Sequence, residues 1–228
     1  MSPKPCPNGS PGMFGDISSR YDLLNRVISL GLDVLWRKKA ATLCRGRVLD
    51  ACCGTGDMAA AIESAGLDVV ASDASWEMLN RARQRHPDMN LVLADAQKLC
   101  FQDESFDTVS MAWGLRNLPD KKAGLTEAFR VLKPGGRIVV LDSCTPENPT
   151  RPFFRFYTHG LVPLMAALFG ADPGAYKYLA RSIDSFGPRS EIKAMFQRAG
   201  FERVRVIDLN FGLAVLITGE KPIGKGQP

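Results

Sequence analysis

A short apolar strand that runs into a glycine loop and then an alanine-rich helix limits the fold of this chain more than any other feature of its sequence. The strand begins at Val48, glycines occupy positions 54 and 56, and the helix ends near Gly66. A strand followed closely by a helix starts a βαβ unit, in which the next strand returns parallel to the first. The alternation of apolar runs and helical patterns continues to residue 141, so the sequence predicts a parallel sheet with helices on both faces.

The predicted elements alternate until the last part of the chain. After the first strand, the predicted strands are Val69–Ala71, Leu91–Leu93, Phe106–Trp113 and Arg137–Leu141, and the predicted helices are Trp76–Arg85 and Lys121–Leu132. The last part is predicted to hold a helix and an antiparallel hairpin, formed by Glu191–Ala199, Val204–Leu209 and Leu213–Thr218. We therefore predict an α/β fold, a Rossmann-like doubly wound sheet that is mostly parallel and ends in an antiparallel hairpin.

The length of 228 residues fits one domain with an insertion. Residues 1–12 are rich in Pro and Gly and are predicted to be a disordered tail, and residues 13–228 are predicted to form the single domain. Its predicted parts are N-terminal helices (13–45), a cofactor-binding core (46–144), an inserted cap over the substrate (145–189), and a C-terminal helix with the hairpin (190–220). The cap is predicted because residues 145–189 are rich in Pro and aromatic side chains and break the alternation.

Composition excludes several classes of function. The net charge is only +5, and no run of Lys and Arg exceeds three residues, so we expect no nucleic-acid partner. The chain has two histidines and no pair of cysteines with C-x-x-C spacing, so we expect no metal site. The absence of a signal peptide and the lack of an obvious disulfide pattern favour a reducing cytoplasm. No apolar run is long enough to span a bilayer.

Aspartates stand at the ends of the first three predicted strands, at Asp50, Asp73 and Asp95. Because the carboxyl ends of parallel strands meet at one edge of a sheet, these side chains are expected to line one crevice. The third glycine of the dinucleotide-binding pattern is absent, since position 59 is Ala. A carboxylate at position 50 suits a ligand with a positive charge, such as the ammonium or sulfonium of S-adenosylmethionine, better than a pyrophosphate.

Each of these residues is given a predicted contact. Gly54 and Gly56 let the backbone approach the ligand closely, Asp73 accepts hydrogen bonds from the ribose hydroxyls, and Asp95 with Ala96 faces the adenine amino group. The alternatives are that Asp73 is the N-cap of the following helix and that Asp95 is an ordinary loop residue. An NAD-dependent oxidoreductase that uses Asp73 on its ribose is an alternative function.

Four stretches carry a resemblance to a known family. They are Met13-Phe14 with Tyr21-Asp22, Asn25, Ser29 and Trp36; Ala112-Trp113-Gly114-Leu115-Arg116-Asn117; Phe129-Arg130-Val131-Leu132-Lys133-Pro134-Gly135-Gly136; and Tyr176 to Ile183. The chain resembles class I S-adenosylmethionine-dependent methyltransferases and, within them, the ubiquinone/menaquinone biosynthesis C-methyltransferases, over about residues 13–220. The resemblance implies that Thr55, Asp73, Asp95, Ala96 and Ala112 contact S-adenosylmethionine.

The resemblance also implies a polyprenyl quinol as the methyl acceptor, with demethylmenaquinol favoured over a benzoquinol precursor of ubiquinone. A methyltransferase for a small molecule of another class is a further alternative. Our hypothesis is that Arg116 stabilises the phenolate, that Asn117 orients it, and that a water or Asp142 takes the proton. The alternatives are a surface salt bridge for Arg116 and a helix or loop cap for Asp142. We also expect a peripheral contact with the inner face of the membrane. Both a monomer and a homodimer are compatible with the sequence.

The chain departs from the family at two places. Asp33 stands where the family usually has His, and Asp142-Ser143-Cys144 stands where it usually has Glu-x-Ser. Both departures concern the position of the substrate and the acid–base chemistry rather than the cofactor. A cofactor-binding protein that has lost catalysis is a third alternative.

Overall fold

The computed structural model describes residues 29, 31–145, 152, 156, 160 and 181–224. Its helices are α1 (Leu32–Ala41), α2 (Asp57–Glu63), α3 (Trp76–Arg85), α4 (Lys121–Val131) and α5 (Arg189–Arg198). Its strands are β1 (Val48–Ala51), β2 (Val69–Asp73), β3 (Asn90–Leu93), β4 (Phe106–Ala112), β5 (Leu132–Asp142), β6 (Glu202–Leu209) and β7 (Ala214–Glu220). Residues 181–186 are helical as well, and short 3-10 helices cover Leu115–Asn117 and Asn210–Gly212.

The seven strands form one sheet in the order β3-β2-β1-β4-β5-β7-β6. The first five strands are parallel, and β7 runs antiparallel to both β5 and β6. This confirms the predicted doubly wound sheet with an antiparallel hairpin at its end. The order of the strands reverses between β1 and β4, and an open α/β sheet binds its ligand in the crevice beside such a reversal.

The sheet has a hydrophobic core on each face. On one face, α1, α2 and α3 contribute Trp36, Ile62 and Leu79, and on the other face α4 and α5 contribute Leu125 and Phe196. Strands buried on both faces become nearly continuous apolar runs, which is why β1 and β2 lack an alternating pattern.

Strand β5 starts five residues earlier than the sequence predicted. Leu132 pairs with Phe106 and Arg137 pairs with Thr108, so the residues between 132 and 137 bulge out of the register. The bulge is held by the chain after β7, because the Gly135 N–H donates to the Lys221 carbonyl at 2.9 Å and the Lys221 N–H donates to the Gly136 carbonyl at 2.8 Å. Helix α4 ends at Val131, one residue before the predicted end, and Gly135 and Gly136, which were predicted to stop the helix, lie inside β5.

Two contacts tie distant parts of the chain together at the carboxyl edge of the sheet. The Trp36 indole on α1 donates a hydrogen bond to Asn210 Oδ1 at 2.7 Å, in the turn between β6 and β7. Thr145 and Pro188 form an isolated parallel bridge. Residues 145 and 188 therefore lie side by side near the end of β5, although 43 positions separate them in the sequence.

Several predictions concern residues outside the described part of the chain. They are the tail at 1–12, most of the predicted N-terminal helices before residue 31 and most of the cap at 145–189. Within the described ranges, no helix is long and apolar enough to cross a membrane.

Candidate active site

The loop after β1 is the first wall of the site. Its backbone has positive φ at Cys52 (59°), Gly54 (55°) and Gly56 (89°). A Cβ added at Gly54 would meet no atom within 4 Å, so the loop borders open space there. A Cβ added at Gly56 would lie 3.1 Å from both His86 Cδ2 and Met89 Sδ, so this glycine is needed for packing.

The carboxylate of Asp73 holds the loop. The Gly54 N–H donates to Asp73 Oδ2 at 2.9 Å, and the Ser75 N–H donates to Oδ1 at 2.9 Å. Burial raises the pKa of Asp73, against the lowering effect of these backbone donors. The helix N-cap is Ser75, whose Oγ accepts from the Met78 N–H at 3.3 Å, so the N-cap alternative for Asp73 is wrong.

Asp50 lies fully buried at the inner end of the site. Among the described residues, neither of its carboxylate oxygens has a hydrogen-bond partner of normal geometry. Burial raises the pKa of Asp50 to about 7, while the nearby Ser110 hydroxyl and the positive charge of Arg37 lower it. A buried carboxyl without a partner of its own is suited to a cationic group supplied by a ligand.

The negative charges at the strand ends act on the thiol of Cys52, in the loop after β1. Burial raises the pKa of the Cys52 thiol well above its usual value, and the negative charges of Asp73, Asp50, Asp95 and Asp142 raise it further. The thiol therefore stays protonated, which fits a packing role rather than a redox one. The carboxyl ends of β1, β2 and β3 lie side by side at one edge of the sheet, as the sequence predicted.

The remaining predicted cofactor residues lie in the loop after β3 and at the end of β4. Asp95 Oδ1 accepts from the Gln97 N–H at 2.8 Å, and Ala96 beside it is buried. Thr55 is buried in the loop after β1, and Ala112 is the last residue of β4. Asp95, Ala96 and Thr55 lie past the carboxyl ends of their strands and Ala112 ends its strand. Their contact with the cofactor stays a prediction.

Arg116 and Asp142 form a buried ion pair, with side chains 3% and 0% exposed. Arg116 Nη1 donates to Asp142 Oδ1 at 2.5 Å, and the Arg116 backbone N–H donates to Oδ2 at 3.2 Å. Arg116 Nε also donates to Ser182 Oγ at 3.3 Å. The alternative of a surface salt bridge is therefore wrong, and two of the sequence stretches that carry the resemblance meet at this arginine.

Asn117 supports the loop that carries Arg116. Its Nδ2 donates to the Trp113 carbonyl at 2.8 Å, in a loop where Trp113 has a φ of 54°. A Cβ added at Gly114 would lie 2.5 Å from Cys52 Cβ. The loops after β1 and β4 therefore pack directly against each other beside the crevice.

Sequence reasoning missed one contributor, Arg37. Its Nη1 donates to the buried Asp33 Oδ2, and its Cζ lies 4.7 Å from the centre of the Trp113 ring. Ser29 Oγ donates to the other Asp33 oxygen at 2.9 Å. The four-residue spacing of Asp33 and Arg37 on one helix was the available signal, but the same spacing is common on exposed helix surfaces.

The comparisons with known proteins agree with this geometry. The sequence profile of the ubiE/COQ5 methyltransferase family matches residues 10–221. The chain belongs to this family. A demethylmenaquinone methyltransferase of Thermus thermophilus is 40% identical and aligns with 92% of this chain and 100% of its own. The ubiquinone/menaquinone biosynthesis C-methyltransferase UbiE of Geotalea daltonii is 38% identical and aligns with 92% of this chain and 94% of its own.

Solved structures give the same fold. An S-adenosylmethionine-dependent methyltransferase of Thermotoga maritima superposes with a TM-score of 0.66 at 19% identity, covering 91% of this chain and 97% of its own. The chain is thus an S-adenosylmethionine-dependent C-methyltransferase of quinone biosynthesis, as the four sequence stretches predicted. The alternative of an NAD-dependent oxidoreductase is wrong.

Proposed function

We propose that the chain methylates a ring carbon of demethylmenaquinol, a polyprenylated naphthoquinol, to give menaquinol. The family match over residues 10–221 carries this proposal, and the name of the Thermus thermophilus relative favours the naphthoquinol. The name of the Geotalea daltonii relative includes ubiquinone, so a benzoquinol precursor is the second candidate.

The residues of the crevice fit the cofactor. The buried carboxyl of Asp50 lacks a partner among the described residues and suits the ammonium of the methionine end, and the open space at Gly54 leaves room for a ligand. In our proposal, Asp73 holds the ribose and Asp95 with Ala96 faces the adenine, while Thr55, Gly56 and Ala112 line the crevice. When bound, S-adenosylmethionine supplies an electrophilic methyl group on its sulfonium sulfur. The absence of a metal requirement stays a prediction.

Methylation of the ring needs a phenolate, because loss of the phenolic proton pushes electron density onto the ring carbon that attacks the methyl group. As the new carbon–carbon bond forms, the methyl–sulfur bond breaks and S-adenosylhomocysteine leaves. Loss of the hydrogen on the methylated ring carbon as a proton, with return of a proton to the phenolate oxygen, then restores the aromatic quinol. A fixed cation stabilises the negative charge as it develops. We assign this role to Arg116, with Asn117 orienting the oxygen. Asp142 accepts hydrogen bonds on both of its oxygens, from Arg116 and from the Ser143 N–H at 2.8 Å. We therefore propose that Asp142 positions Arg116 and that a water molecule takes the phenolic proton.

The test is transfer of a labelled methyl group from S-adenosylmethionine to demethylmenaquinol and, in parallel, to a demethylated benzoquinol. We expect transfer to the naphthoquinol. No transfer to either quinol, by a protein that still binds S-adenosylhomocysteine, would support the alternative of a binding protein without catalysis.

The role of Arg116 is tested with Arg116→Gln, which keeps hydrogen-bonding capacity but removes the charge. We expect kcat to fall by about 10²- to 10³-fold, as for loss of a comparable oxyanion donor. Affinity for S-adenosylhomocysteine should be retained, and this measurement also shows that the variant is folded. Arg116→Lys is the matched control and should recover part of kcat. A kcat near that of the wild type in Arg116→Gln would rule out the oxyanion role.

A polyprenyl tail keeps the substrate in a bilayer, so we also propose peripheral contact with a membrane. Leu35 is 60% exposed on α1, and Lys38 and Lys39 on the same helix are exposed. An apolar side chain beside lysines is suited to an anionic membrane surface. The homodimer stays a prediction.

A further inference from the structure

Arg37 contacts residues beside the loop after β1 and in the loop after β4, where the strand order reverses. Its Nη2 lies 3.7 Å from Asp57 Oδ2, at the start of α2 directly after the glycine loop. Its Cζ lies 4.7 Å from the centre of the Trp113 ring, in the loop after β4. These two loops flank the place where an open α/β sheet binds its ligand. A positive side chain therefore stands beside the expected ligand position.

The guanidinium of Arg37 is held firmly. Its Nη1 donates to the buried carboxylate of Asp33, and Ser29 Oγ fixes the other oxygen of that carboxylate at 2.9 Å. The Arg37 side chain is only 13% exposed. A fixed and partly desolvated guanidinium is a strong partner for a carboxylate.

Arg37 still has hydrogen-bond donors to offer. A guanidinium carries five N–H donors, and the bond to Asp33 uses one of them. Arg37 Nη2 and Asp57 Oδ2 form an ion pair, but their separation of 3.7 Å is too long for a hydrogen bond. Asp57 is also paired with Arg85 Nη2 at 3.0 Å, so its charge is shared between two arginines.

The charges around Arg37 match the amino-acid end of the cofactor. That end carries an ammonium and a carboxylate on one carbon atom, and it needs an anionic and a cationic partner close together. Arg37 lies near enough to Asp50 for its positive charge to lower the pKa of that carboxyl. Asp50 lies in β1 directly before the glycine loop and Arg37 contacts Asp57 directly after it, so one anionic and one cationic side chain flank the loop.

We propose that Arg37 binds the carboxylate at the methionine end of S-adenosylmethionine, and that Asp33 is the positioning residue that fixes the guanidinium. The proposal rests on the proposed use of the crevice by this cofactor. It assigns a function to the departure at position 33, because an aspartate holds the arginine in place.

Two ligands separate this role from a purely structural one. S-adenosylhomocysteine carries the amino-acid end, and 5′-methylthioadenosine shares the adenosine and the sulfur but lacks that end. Titration calorimetry should show that Arg37→Gln lowers the affinity for S-adenosylhomocysteine about 10- to 100-fold, the range expected for loss of a charge-assisted hydrogen bond. Affinity for 5′-methylthioadenosine should be unchanged. Arg85→Gln removes the other arginine on Asp57 and should leave both affinities unchanged.

Arg37→Gln alone leaves the buried Asp33 carboxylate without its cation, so the comparison is repeated between Asp33→Asn and the double variant Asp33→Asn/Arg37→Gln. The same selective loss is expected there. Equal weakening of both ligands, or no weakening of either, in both backgrounds would overturn the proposal. Failure of the wild-type protein to bind either ligand would instead overturn the proposed function of the crevice.

Discussion

Asp50 shows at the scale of one residue how folding prepares a site for a positive ligand. Its pKa rises from the ordinary value of 3.8 to about 7, chiefly because the carboxyl is buried. Below about pH 7 the free protein therefore keeps this group protonated. Because the unfolded chain ionises it from about pH 4 upward, the folded state loses about 4 kcal/mol of stability relative to an ordinary aspartate as the pH rises from about 4 to about 7. A bound cation offsets the loss.

Binding of S-adenosylhomocysteine should therefore depend on pH. Below pH 7, Asp50 must release a proton before it can face the ammonium. The apparent Kd should therefore rise by up to about tenfold for each unit by which the pH falls below 7. Calorimetry between pH 5.5 and 8 measures this slope. The pKa of Asp73 is also raised by burial, and this group contributes in the same direction.

Asp50→Asn is the control for this slope. The variant should bind S-adenosylhomocysteine more weakly at pH 8 and should show a shallower pH profile. In the absence of ligand, its free energy of unfolding should change less between pH 5 and 8 than that of the wild type. Parallel profiles for the two proteins would show that another group governs the pH dependence.

The glycine loop is an element in which two similar positions have different tasks. Gly54→Ala places a methyl group in open space, whereas Gly56→Ala places one 3.1 Å from His86 and Met89. Both substitutions strain a left-handed backbone by about 1 kcal/mol. Gly56→Ala should lower the free energy of unfolding by a further 1 to 3 kcal/mol or so, because its neighbours must move.

Urea unfolding and calorimetry together separate the two tasks. Gly54→Ala should unfold close to the wild type yet bind S-adenosylhomocysteine at least about tenfold more weakly, because the methyl group occupies the space of the ligand. If Gly54→Ala keeps full affinity, the open space at this glycine does not belong to the cofactor site.

The hydrogen bond between Trp36 and Asn210 joins α1 to the turn between β6 and β7. Asn210 has a φ of 46°, so Asn210→Gly removes the side chain without straining the backbone. The buried Trp36 N–H then loses its acceptor, and the free energy of unfolding should fall by about 1 to 3 kcal/mol. In a Trp36→Phe background, Asn210→Gly should lower the free energy of unfolding by less, since no donor is left unpaired.

For the whole molecule, local patterns in the sequence predicted the sheet because each strand and helix has its own period and its own stop signals. Ser75 before α3 was such a signal, and α3 has the predicted bounds. The aspartates at the strand ends could be placed in one crevice because parallel strands share an edge.

Contacts between distant residues could not be predicted in this way. The ion pair between Arg116 and Asp142 joins residues 26 positions apart, and the bond from Arg116 to Ser182 spans 66 positions. No periodicity relates these residues. The bulge in β5 depends on hydrogen bonds to the backbone of Lys221, far along the chain. Pro134 and Gly135 predicted only that a helix ends, so they gave no indication of the bulge.

The bridge between Thr145 and Pro188 has an evolutionary consequence. It joins two residues that are 43 positions apart, so the stretch between them starts and ends at one place beside β5. We expect the strand order and the glycine loop to tolerate changes in the length of that stretch during evolution, because both of its ends are held at the same place.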